Sequence, residues 1–135
     1  MVLPITLTIA GAAALINIWL MVRVSKVRTS EKISVGDGGN ETVTRRMRAH
    51  ANFGESLPII LILIAIIELA SIKTAGETPL WLWLVSGLYL LGRIAHAFGM
   101  DGGKLGIGRF IGTIATLLTL LGLGIYAITI PYFYI

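Results

Sequence analysis

Three observations predict an all-α integral membrane protein, a single domain built as a bundle of four transmembrane helices. Mean hydropathy is +0.86 over 135 residues, with 56% hydrophobic and only 13% charged side chains, far more apolar than a soluble core of this size needs. Uncharged runs occur at Met1 to Val22, Ser56 to Ile67, Thr78 to Gly92 and Phe110 to Ile135, and flanking segments bring the middle two to the roughly 20 residues a span requires. The cations are unevenly placed: of 11 Lys and Arg residues, those from Arg23 to Arg48 lie between the first and second spans. Arg93, Lys104 and Arg109 flank the connection of the third and fourth spans, and Lys73 stands alone between the second and third. This asymmetry predicts cytoplasmic basic loops and both termini outside.

The first helix is predicted over about 3–23. It is apolar apart from Thr6, Thr8 and Asn17, and an amide in lipid needs a partner, so Asn17 is expected to bond a neighbouring helix. No basic segment precedes the apolar core, so Met1 to Val22 reads as a span rather than a cleaved signal peptide. Arg23, Lys26 and Arg28 end it with cations suited to the interface and to the negative end of a helix. Thr29 to Thr44 is polar and holds Gly36-Asp37-Gly38-Gly39-Asn40, a loop by composition. No Lys-Ser/Thr follows those glycines, so they do not form a phosphate cradle.

The second helix is predicted over about 44–70, capped by Thr42 or Thr44 and kinked at Pro58. At 3.6 residues per turn Arg45, Arg48, Asn52 and Glu55 share one face, forming a polar ladder that enters the membrane. Glu55 lies about 10 Å deeper along the axis than Arg48, and Glu68 about 20 Å beyond Glu55. With Glu68 marking the far interface, Glu55 stands in hydrocarbon, where an ionisable group costs several kcal/mol unless it is paired or faces a wet cavity. The plainer reading makes the arginines interfacial anchors with Glu55 neutralised by one of them. Asn52 weighs against it, because an anchor needs no amide one turn above a buried carboxylate.

Ser71 to Thr78 forms a short connection, with Trp81 and Trp83 where an aromatic belt anchors a helix. The third helix, about 79–98, carries Tyr89, Arg93 and His96 on one face. A tight loop from Gly99 to Gly106 leads to the fourth helix, about 108–130. Arg109 opens that helix, where the dipole favours anions, and so with the helix N-terminus it makes an anion site. Gly108, Gly112 and Thr116 form a small-residue stripe for close packing. A bundle this small has little interior to shelter a polar ladder, which predicts an oligomer. The absence of cysteine means that any thiol chemistry uses a substrate's sulfur. With His50 and His96 the only histidines, no metal site is expected, and basic residues without interleaved aromatics speak against nucleic acid.

The pattern Arg48-Ala49-His50-x-Asn52-x-x-Glu55-x-x-Pro58, followed by Gly92-Arg93-Ile94-x-His96 and by Arg109, resembles the MAPEG family. These are membrane-associated proteins in eicosanoid and glutathione metabolism, including microsomal glutathione transferases, leukotriene-C synthase and microsomal prostaglandin E synthase. The resemblance implies a homotrimer with glutathione as co-substrate, bound between subunits near the cytoplasmic face. It makes Arg48, His50, Asn52 and Glu55 glutathione-binding residues. On the third helix it makes Arg93 and His96 site residues, and their helix face adds Tyr89. It places Arg23 or Lys26 as the basic residue ending the first helix, and Arg109 as the catalytic arginine. Met100, Ser56, Ala51 and Phe110 depart from tyrosines, an arginine and a serine found in relatives, which favours a general glutathione-dependent activity over the eicosanoid ones.

The chemistry follows from charge. A free thiol is mostly protonated at neutral pH, and a nearby guanidinium stabilises the nucleophilic thiolate. The expected activity is a membrane-bound glutathione transferase or peroxidase. Arg109 activates the thiol, Arg48 and Arg93 hold carboxylates, Glu55 takes the amino group and Asn52 bonds the peptide. An apolar electrophile or lipid hydroperoxide enters from the bilayer, in a bacterial inner membrane by the short loops and absence of a retention signal. Two alternatives remain: a structural, lipid-binding or anion-binding trimer without catalysis, and a small four-helix exporter built on a membrane glutamate. The arginines around Glu55 suit an anionic ligand better than an exported cation.

Overall fold

The computed structural model describes residues 1–102 and 106–134. Helices α1 (Pro4–Ser30), α2 (Glu41–Ala75), α3 (Leu80–Gly99) and α4 (Gly106–Tyr134) are all long and apolar enough to cross a membrane. The chain is an integral membrane protein of all-α class. Of the expected tight loop, Gly103, Lys104 and Leu105 lie outside the described residues.

Three of the four helices outrun the lengths expected from hydropathy, and α3 keeps its expected 20 residues, shifted by one position. The first continues through Arg23, Lys26 and Arg28 to Ser30, because cations at a helix C-terminus favour the helix rather than end it. It stops where Lys32 takes φ 56°, the left-handed conformation that lets the Ile33 N–H donate to the Arg28 carbonyl at 2.8 Å. The cap of α2 is Asn40, not Thr42 or Thr44: its side-chain oxygen accepts from the Val43 N–H at 3.0 Å, leaving the threonines inside the first turn. Ahead of it the Gly39 N–H and the Thr44 hydroxyl donate to Asp37, holding that carboxyl below the usual carboxylate range. Within α2 the helix continues past Pro58, and α4 continues past Pro131.

Glu68 was expected at the far interface; it is fully buried. Its carboxylate accepts from the Ile5 and Thr6 N–H groups, each at 2.8 Å, and from the Thr6 hydroxyl at 2.7 Å. Those amides belong to the first turn of α1, where helix donors lack intrahelical partners and the dipole is positive. Glu68 is level with the start of α1 and faces inward, toward that helix. Asn17 meets the expectation of a helix-to-helix bond: its oxygen lies 2.8 Å from His50 Nε2.

The closest packing is between α3 and α4. A Cβ at Gly99 would overlap the Arg109 backbone, one at Gly108 the Ala95 carbonyl, and one at Gly112 the Gly92 carbonyl and the His96 side chain. Backbone approach of this kind is what small residues allow in membrane helices.

Glu68→Ala should cost about 2–6 kcal/mol, since it strands one buried and one part-buried amide donor at about 1–3 kcal/mol each. A thermal melt followed by circular dichroism in detergent should show a midpoint lower by several degrees. An unchanged midpoint would mean that α1 does not depend on this carboxylate.

Candidate functional site

Arg93 is the largest of the fully buried side chains, 2% exposed. It occupies a position on α3 that faces both α2 and α4. Its Nη2 donates to Asn52 Oδ1 at 2.6 Å and lies 3.3 Å from His96 Nδ1, while Nη1 donates to Thr116 Oγ1 at 3.1 Å. All three partners are neutral, and among the described residues the guanidinium makes no ion pair. Its Nε is buried without a hydrogen-bond partner. Taking a cation out of water costs several kcal/mol after relaxation, and neutral acceptors return only part of that. An arginine held this way is an electrostatically incomplete site.

Arg93 opens onto a cavity of about 250 Å³ between α2 and α4. Asn52, Glu55 and Ser56 line it from α2, and Thr113, Thr116 and Leu117 from α4. One turn toward the far end, Tyr89 and Ser56 share a buried hydroxyl–hydroxyl bond of 2.8 Å. The column His96, Arg93, Tyr89 thus reads as a continuous polar stripe on α3, with Asn52 and Ser56 answering it from α2.

Of the residues singled out in the sequence, the structure gathers Asn52, Glu55 and Arg93 around one cavity. His96 joins through Arg93 and Tyr89 through Ser56. Arg48 and Arg109 are exposed on the protomer surface. Helical register places both at its basic end, because Arg48 precedes Asn52 by one turn and Arg109 precedes Thr113 by one turn. The ladder on α2 therefore splits: Asn52 turns to the interior, whereas Arg48 and Glu55 open outward, and Arg45 pairs with Glu41 at 2.5 Å.

Two residues fall elsewhere. His50 bonds Asn17 on α1, away from the cavity. Arg23, 8% exposed, lies against both Trp19 and Phe98, its guanidinium carbon 5.1 and 5.2 Å from their ring centroids. It donates to the Ala97 carbonyl at 3.1 Å and pairs with Asp101. Arg46 adds its own hydrogen bond, to the Arg23 carbonyl at 3.1 Å, so three helices are fastened at the C-terminus of α3. Sequence reasoning missed Ser56 and Thr116 as cavity groups. Thr116 had a signal, since it lies on the α4 face of Arg109, but its hydroxyl partner on α3 is visible only in three dimensions.

The family model described as "MAPEG family" matches residues 6–129. The chain is 30% identical over 77 residues to "Inner membrane protein YecN" of Escherichia coli, in strain K12 and again in strain O6:H1. Each alignment covers 56% of this chain and 54% of the relative, so the chain spans about half the length of the curated relatives it matches. No solved structure matches.

Asn52→Ala should destabilise the protein by about 1–3 kcal/mol, because a buried charged donor loses its shortest acceptor. Tyr89→Phe should cost about 1 kcal/mol or less, since Ser56 keeps carbonyls within reach on its own helix. Urea or thermal titration of the two variants in the same detergent checks the order, and a reversed order would remove Arg93 from the centre of the network.

Proposed function

The chain belongs to the MAPEG family, and from that premise we propose a membrane-bound glutathione-dependent transferase or peroxidase. In this reading it forms thiolate for attack on apolar electrophiles or lipid hydroperoxides. The observation that carries the reading is the buried guanidinium of Arg93, bonded only to neutral groups at the wall of a polar cavity. A carboxylate of glutathione would supply the missing countercharge in a bidentate, charge-assisted pair. Glu55 on the same wall would take the peptide's amino group, and Asn52 and Ser56 offer neutral hydrogen bonds.

The cavity holds about 250 Å³, below the roughly 300–1,000 Å³ typical of small-molecule sites, so one protomer supplies a wall of the pocket rather than all of it. Glu55 is exposed on that wall, which supports a neighbouring protomer completing it, in a homotrimer as the family resemblance implies. Glutathione would then lie between subunits near the basic, cytoplasmic end, with Arg48 and Arg109 at its rim. Arg109 would stabilise the thiolate, and the site would lie in a bacterial inner membrane, open sideways to the bilayer. No ionisable group of this chain needs to act as nucleophile, since the sulfur comes with the co-substrate.

A second reading, an anion-binding trimer without turnover, is favoured by one observation: Arg109 is not among the residues lining the cavity. Glutathione binding to the protein in detergent, followed by ultraviolet difference absorbance at the thiolate band, separates the two. The expected result is saturable binding with thiolate formation. Arg93→Gln should weaken binding at least ten-fold, about 1.4 kcal/mol or more, whereas Arg109→Ala should keep binding and lose the thiolate band. Binding without thiolate in the parent protein would select the second reading, and no binding would overturn both.

A further inference from the structure

The contact between α3 and α4 changes character along its length. At the basic end the helices touch backbone to backbone through Gly92, Gly99, Gly108 and Gly112. Beyond that point they part. A Cβ placed at Gly122 would meet nothing within 4 Å. A glycine in a helix interior costs up to about 1 kcal/mol relative to alanine, and no neighbour in this chain accounts for that cost at Gly122.

The parting leaves a groove. Its upper part is a cavity of about 530 Å³, floored by Tyr89, Gly92 and Thr119 and rimmed by Leu88, Leu91 and Leu118. A second cavity of about 280 Å³ continues it, sharing Val85, Leu118 and Thr119 and reaching Gly122, Trp81 and Tyr126. The floor is buried and the rims are exposed: Tyr89 and Thr119 are 0% and 7% exposed, Leu88 and Leu118 63% and 64%. At the far end Trp81 and Tyr126 meet edge to face, ring centroids 5.0 Å apart, and close the groove between the two helices.

Its length identifies an occupant. From Ala95, at the upper end, to Trp81 the groove follows α3 for about 21 Å at 1.5 Å per residue. One leaflet of the hydrocarbon core is roughly 15 Å deep, so the groove takes the whole of one extended acyl chain. The walls are apolar and free of charge, which suits a chain and offers no partner to an ionic ligand. Inside a bilayer such a cleft is filled.

We propose that the α3–α4 groove is a binding site for one acyl chain of a membrane phospholipid, seated between Gly92 and the Trp81–Tyr126 pair. The site lies on the other side of α3 and α4 from the polar cavity. The two are separated by the Tyr89–Ser56 hydrogen bond, in which Tyr89 faces the groove and Ser56 the cavity. The proposal does not rest on the protein being an enzyme.

Native mass spectrometry of the full chain released from detergent, titrated with dipalmitoyl phosphatidylglycerol, tests it. The expected result is one lipid per protomer, retained saturably. Gly122→Leu should fill the groove and weaken retention at least ten-fold. Gly124→Leu, at a neighbouring glycine with equally open space that does not line the groove, should leave retention unchanged. Leucine is the better helix former at both positions, so neither change threatens the fold. A phosphatidylglycerol with short chains should bind at least ten-fold more weakly. Equal retention by both variants, or affinity independent of chain length, would overturn the site. So would a Gly122→Leu protein whose subunit stoichiometry changes while the parent retains no lipid, because the groove would then be a protein interface.

Discussion

The constraint on which this bundle depends is a guanidinium that cannot reach water. Arg93 lies in the interior of a membrane domain, and its hydrogen bonds reach α2 through Asn52, α4 through Thr116 and its own helix through His96. Each partner is a short polar side chain at a position where an apolar residue would otherwise fill space. Three helices are therefore held in register by one cation, and the helix faces that carry those partners cannot rotate without stranding charge in hydrocarbon. The cavity beside Arg93 is the other side of the same arrangement, because three neutral acceptors leave the charge without a counterion. Function is read from that imbalance.

The two ends of the bundle are managed by the electrostatics of helix termini. At the far end the Glu68 carboxylate takes the first amides of α1, where an N-terminus buried in the bundle would otherwise leave donors without partners. At the basic end the Ala97 carbonyl near the end of α3 takes the Arg23 guanidinium, and Asp101 collects guanidiniums from both α1 and α2. Within the protomer the Arg23 guanidinium donates to Ala97 and pairs with Asp101, whereas the Arg48 and Arg109 side chains are exposed and make no ion pair among the described residues.

Packing of α3 against α4 links the polar site to the lipid. Glycines bring the helices into backbone contact around His96 and Arg109, which sets the start of α4 against the end of α3. Further along the pair, Trp81 and Tyr126 meet edge to face across the two helices. A polar cavity and an apolar groove thus flank this one helix pair.

Much was legible before any coordinates. Hydropathy alone gives four spans, because the bilayer demands satisfied backbone and permits little else, and the 3.6-residue period puts Tyr89, Arg93 and His96 on one face. The charge of Arg93 and the amides of Asn17 and Asn52 announced that buried polar groups would need partners. The sequence could not say which partners. Asn40 rather than a threonine caps α2, because capping depends on where the preceding loop turns. Glu68 faces inward to α1 rather than outward to the interface, because a helix N-terminus arrived beside it. Chain order and residue type determined the spans, their polar faces and the need for pairing. Only the tertiary structure decided which charges are spent on helix ends and which fully buried one is left without a counterion among the described residues, since that depends on the rotation of each helix against its neighbours.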